Sequence, residues 1–179
     1  METFPDILHS WQNFYFTAGG AAVTLIGLMF VAISLGMHLV NAVTRDTFRI
    51  FAAPSIFYFV SVLLIACMML VPSFTAMGLG LVMVFGAVVG LIVTLPRVIK
   101  LIQAAFKHND FDLWDWLTQI IFPALSFVLI GLGAAELLTS QWSLGIDAIW
   151  LATVLLLVSA IANTWSMVIW IIERQRTDT

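Results

Sequence analysis

The sequence predicts an all-α membrane protein, a bundle of five transmembrane helices, and three observations carry that expectation. First, 62% of the 179 residues are hydrophobic and 9% are charged, about a third of the charged share of an average soluble domain, and the mean hydropathy is +1.08. Second, the apolar residues run on without alternation, over lengths that match the ~20 residues a helix needs to cross ~30 Å of hydrocarbon; a barrel would alternate. Third, five crossings put every Lys and Arg on one side of the membrane. A soluble globular domain, a disordered chain and a basic nucleic-acid binder are excluded by this composition. The net charge of −3 offers nucleic acid no general attraction.

The elements follow in order. The N-terminal residues Met1 to Asp6 are acidic and lack the positive start of a signal peptide, so the first apolar segment is expected to stay in the mature protein. Between Ile7 and Thr44 there is no Asp, Glu, Lys or Arg, and 14–40 reads as a first span, long enough to tilt or protrude. The uncharged stretch from Ile50 to Pro96 is too long for one crossing. Pro72-Ser73 divides it into spans at about 53–71 and 76–95. The segment from Arg97 to Lys107 extends the third helix beyond the membrane, and His108-Asn109-Asp110 reads as a turn. Asp112 and Asp115 suit the first turn of a fourth helix, where carboxylates meet the positive end of the dipole. The fourth and fifth spans are 117–139 and 148–172. Residues 1–179 form a single transmembrane domain with no internal repeat.

Charge sets the orientation. Arg45 and Arg49 lie in the first loop, Arg97, Lys100 and Lys107 in the third, and Arg174 and Arg176 in the tail. The opposite side has no base and carries Glu2, Asp6, Glu136 and Asp147. The positive-inside rule then puts the N-terminus outside and the C-terminus in the cytoplasm, as in a multi-pass protein of a cell inner membrane. Tryptophans fit this frame, with Trp11, Trp142 and Trp150 near the outer boundary and Trp114, Trp116 and Trp170 near the inner one.

Polarity within the spans is arranged in faces. On the first helix Thr17, Gly20, Thr24, Gly27, Ser34, His38 and Asn41 fall within an arc of about 120°. Two readings are open: a packing surface of small residues, Gly20 and Gly27 above all, or a water-accessible lining through Thr17, Thr24, Ser34 and His38. On the third helix Gly86, Ala87, Gly90 and Thr94 form a small-residue face that continues to Arg97, expected to pack closely on another helix. On the fifth, Ser159, Asn163 and Ser166 share a face, with Asn163 nearest the bilayer middle and in need of a partner there. Glu136 is the one acid or base well inside a span. It is a candidate functional carboxylate, although its place within a turn of the outer end also lets it reach interfacial water. Cys67, the only cysteine, is expected as a small buried hydrophobe.

Motifs for chemistry are missing. There is no metalloprotease helix, phosphate loop, dinucleotide fingerprint or nucleophile elbow. The histidines His9, His38 and His108 are split between the two sides. No metal, no cofactor and no enzymatic activity is expected.

The stretch from Trp11 to Leu35, with Ala18-Gly19-Gly20-Ala21-Ala22 and Thr24-Leu25-Ile26-Gly27 at its centre, resembles the first helix of a group of small, uncharacterised bacterial inner-membrane proteins. The resemblance spans that helix and implies a bacterial source, with no activity or site residue attached.

Two functional expectations follow. One is a homo-oligomeric, cation-preferring ion channel lined by the first helix, with Asn163 behind the lining and Glu136 and Asp147 attracting ions at the outer mouth. The other is a non-conducting membrane subunit or regulator that docks partner helices in the bilayer and meets a cytoplasmic protein through its basic loops. A secondary transporter fits less well, because no span is interrupted at the midplane.

Overall fold

The computed structural model describes residues 3–36, 42–108, 114 and 116–177. In hydrocarbon no water can satisfy a backbone N–H or C=O, so each apolar run closes its own hydrogen bonds as a helix. A short α1 (Phe4–Ser10) precedes α2 (Gln12–Gly36), α3 (Ala42–Leu70) and α4 (Ala76–His108). A π-helical stretch (Trp116–Ile121) then leads into α5 (Phe122–Leu138), and α6 (Trp142–Thr177) follows. The five helices α2 to α6 are each long and apolar enough to cross a membrane, α5 together with its π-helical lead-in. Among the described residues there is no strand. His38, Asn41, Asp110, Asp112 and Asp115 lie outside the described residues.

Three local features depart from the simple reading of five spans. The N-terminal residues form α1, started at Thr3, with Pro5 in the first turn where a missing N–H costs nothing. The Asp6 carboxylate accepts from the Thr3 backbone N–H at 3.0 Å and from the Thr3 hydroxyl. Before α5 the helix widens into a π turn, immediately ahead of Pro123. A proline has no N–H to give and presses on the carbonyl four residues back, and the wider turn relieves that contact. Pro54 and Pro96 lie inside α3 and α4 without ending them.

The helices are not neighbours in chain order. Helix α2 packs on α3, α3 on α6, α6 on α5 and α5 on α4. The last helix is therefore wedged between α3 and α5, and the consecutive pair α3 and α4 touch only slightly. At α5 and α6 two backbones come close together. A Cβ at Gly133 would stand 2.6 Å from the Gly145 carbonyl oxygen, and one at Gly145 would stand 2.7 Å from that of Gly133. Only glycine lets two backbones meet this way, which is how helices gain contact where lipid is as apolar as leucine.

The α5–α6 turn is short. Ser140 adopts φ 66°, and the Gln141 N–H reaches back to the Glu136 carbonyl at 3.0 Å, the pattern of a helix closed by a left-handed residue. At this same end α1 and the start of α2 are clasped to α6 by rings: Phe4 on Trp142 at 5.9 Å, and Trp11 and Phe14 on Trp150 at 5.9 and 6.2 Å. Outside, large apolar side chains such as Phe16, Phe85 and Ile92 are exposed, each by 66% or more. In water such a surface would aggregate; in a bilayer it is solvated.

Two outcomes follow from these termini. Ser140→Gly removes the left-handed penalty of a side chain and should stabilise the hairpin by about 0.5–1 kcal/mol, read as a higher thermal unfolding midpoint in detergent. The hydrogen bonds from Thr3 hold the Asp6 carboxyl below its ordinary value of 3.8. Their contribution is therefore present at neutral pH and is lost as the pH falls through that lowered value. An NMR titration of the Asp6 carboxyl carbon should show a midpoint under 3.8 that rises in Thr3→Ala.

Candidate functional site

The stripe on α2 is the longest polar feature of the bundle, and its direction is set by what the opposite face does. Tyr15, Ala18, Ala22 and Met29 are buried, and they fix the packed side of α2. Thr17, Gly20, Thr24, Gly27 and Ser34 stand on the other side, all exposed. The three hydroxyls turn back onto their own helix: Thr17 donates to the Asn13 carbonyl at 2.8 Å, Thr24 to Gly20 at 2.9 Å and Ser34 to Phe30 at 2.9 Å. This is the usual way a hydroxyl is satisfied in a membrane helix. A Cβ at Gly20 or Gly27 would meet no described atom within 4 Å. The stripe is thus a smooth, small, mildly polar strip that turns away from the rest of its own chain.

Asn163 is placed elsewhere. It is 3% exposed, and its Nδ2 donates to Ser55 Oγ at 2.9 Å, across the α3–α6 interface. Ser55 lies on α3 one residue after Pro54. On α6 Asn163 lies beyond the middle of the apolar stretch Trp142–Ile169, toward its C-terminal end. The need for a partner was readable in the sequence, but the identity of Ser55 was not. One turn earlier on the same face Ser159 is buried, and its hydroxyl has no hydrogen-bond partner.

The acidic end carries Glu136 and Asp147. Glu136, half-buried near the end of α5, lies with its Oε2 3.4 Å from the Thr139 hydroxyl; α5 packs on α4 and α6 rather than on α2. Asp147 is exposed on α6 and lies within electrostatic reach of the Tyr15 hydroxyl on α2. Tyr15 itself is fully buried, and its hydroxyl has no hydrogen-bond partner. Of the two acids, Asp147 is the one beside the start of the α2 stripe.

The glycines expected to pack divide into two kinds. At Gly90 a Cβ would overlap the Phe127 ring of α5, so a side chain there would part α4 from α5. Gly86, like Gly20 and Gly27, meets no described atom within 4 Å. Gly133 and Gly145, where the α5 and α6 backbones meet, were not singled out by pattern. Cys67, expected in the core, is exposed on α3. The outside of a membrane bundle is as apolar as its inside, so hydrophobicity does not send a cysteine inward. Among the described residues no group of three or more His, Cys, Asp or Glu is placed to hold a metal ion.

The fold and these faces define a multi-pass α-helical membrane protein. No protein-family model, no curated protein and no solved structure matches the chain.

The Asn163–Ser55 bond should couple α3 to α6. Asn163→Ala and Ser55→Ala are each expected to cost about 0.5–1.5 kcal/mol, with a double-mutant coupling of about 0.6 kcal/mol, measured by unfolding titration in mixed micelles.

Proposed function

We propose that the protein is a homo-oligomeric, cation-preferring channel of a bacterial inner membrane, with α2 of each copy facing a shared axis. One observation supports this reading above the others: Thr17, Thr24 and Ser34 share a continuous face with Gly20 and Gly27, opposite the side by which α2 packs on its own bundle. A chain of this size encloses a path only by repeating around an axis, and a lining must be a face that its own bundle does not cover. Hydroxyls bonded back to carbonyls still offer lone pairs to a passing hydrated cation. Asp147 beside the start of α2, multiplied around a ring, concentrates cations at the mouth, with Glu136 a turn from the same end of its helix. His38, outside the described residues, joins this lining by its spacing in the sequence alone, and Asn163 behind it ties α6 to α3. The charge pattern orients the chain with its N-terminus outside and its C-terminus in the cytoplasm.

A second reading rests on the same face. Gly20 and Gly27 leave room for a helix to approach closely, as in a non-conducting subunit that docks a foreign helix. In that case the basic loops meet a cytoplasmic protein.

Thr24→Cys in a Cys67→Ala background separates the readings. The channel expects disulfide-linked copies in native membranes, cation flux into proteoliposomes, and block of that flux by a charged thiol reagent. Asp147→Asn and Glu136→Gln should each weaken the cation preference, Asp147→Asn more. Cross-linked copies without flux, or cross-links to a foreign chain, would favour the docking subunit and overturn the channel.

A further inference from the structure

Three backbone weak points lie at one depth in this bundle. Proline takes away the N–H that would close one helical turn and presses on the carbonyl four residues back. Pro54 does this inside α3 and Pro96 inside α4, and Pro123 opens α5 directly after the π turn Trp116–Ile121. Hydrocarbon keeps each helix wound, because freed backbone groups find no water there. What remains is a continuous helix with a soft joint. Helices α2 and α6 contain no proline.

Side-chain contacts fix the depth. Phe57 of α3 meets the Phe127 ring of α5 at 5.8 Å, and the same ring occupies the place of a side chain at Gly90 of α4. Phe57, Gly90 and Phe127 therefore lie at one level. From that level toward the basic end, Pro54 is three residues away, Pro123 four and Pro96 six, or about 4.5, 6 and 9 Å of helix axis. The three joints thus share a layer about 5 Å deep. Two polar contacts border that layer: Asn163 of α6 donates to Ser55 of α3, and Tyr58 of α3 faces Thr94 of α4. Ser55 and Thr94 stand one and two residues from Pro54 and Pro96, on the side away from the basic ends. They pin α3 to α6 and α4 to α3 beside the joints, so a bend there moves the ends and leaves the rest of the bundle in place. Beyond the joints Ala52, Val98 and Ile120 are buried, so the structure shows the ends packed inward.

We propose that the basic-side ends of α3, α4 and α5 form one hinged unit, which swings outward at Pro54, Pro96 and the π turn while α6 stands as the fixed post. The device rests on backbone chemistry away from α2, so it stands whether or not the protein conducts.

The test places pairs of spin labels on the full chain in lipid vesicles. A Cys67→Ala background leaves the labels alone on the chain, and dilution with unlabelled protein makes each distance one within a single copy. Gln103→Cys on α4 with Ile169→Cys on α6 reports the basic side, and Met77→Cys with Leu144→Cys reports the other; all four side chains are exposed. A bend of ~20° acting over the ~10 Å of helix from Pro96 to Gln103 moves the label by about 4 Å. Pulsed electron–electron resonance should therefore find two distances about 4 Å apart, or one distribution broadened by that much, on the basic side. The other side should give a single narrow distance. Pro96→Ala restores the missing N–H and should narrow the basic-side distribution to one distance. Pro54→Ala, on a helix that carries neither label, should narrow it too, because the ends move together. Helical circular dichroism and a single gel-filtration peak check that each variant is folded; if one is not, the comparison of the two label pairs with the prolines intact still decides. A basic-side distance as narrow as that on the other side would overturn the hinge. So would narrowing by Pro96→Ala without narrowing by Pro54→Ala, which would make each proline a bend of its own helix alone.

Discussion

A chain that must satisfy its backbone without water, and cannot use water to press its helices together, has little to hold it but fit. Every other feature of this bundle depends on that constraint. The first half of it makes the long helices, because N–H and C=O groups have nowhere else to turn. The second half explains why α5 and α6 meet at a glycine pair, Gly133 against Gly145, with backbone close to backbone. It also explains why the polar bond between Asn163 and Ser55 is placed at an interface between helices. Leucine and phenylalanine abound on both sides of each helix and discriminate little between neighbour and lipid.

The same constraint decides what could be read from the sequence. The five helices were legible, since a run of apolar residues near 20 long has few alternatives, and Pro72-Ser73 divided the one ambiguous run correctly into α3 and α4. The stripe on α2 was legible as a stripe, because periodicity reports which residues share a face. Which way the face turns was not, since inward and outward positions are equally apolar. Cys67 shows the failure plainly: small and hydrophobic, yet on the outside. Helix order was hidden for a related reason, because loops link α3 to α4 without making them pack. Two smaller features had signals that composition overshadowed: Thr3-Phe4-Pro5-Asp6 as a helix start, and Pro123 as the cause of a wider turn.

The candidate sites differ in kind because their surroundings do. On α2 the hydroxyls are already satisfied by their own helix, so the face offers smoothness, small size and lone pairs. Such a face suits a helix or a stream of hydrated ions. The acidic end adds a long-range field through Asp147 and Glu136 without forming a pocket.

Helix order also has a consequence for biogenesis. Chains enter the membrane from the N-terminus, so α2 with α3, and α4 with α5, can each pair as soon as they emerge. The two halves share few contacts until α6 slides between them. Until the ribosome releases that last segment, the polypeptide is two hairpins adrift in lipid, and the Gly133–Gly145 and Asn163–Ser55 contacts do not yet exist. The final crossing acts as the keystone of the bundle.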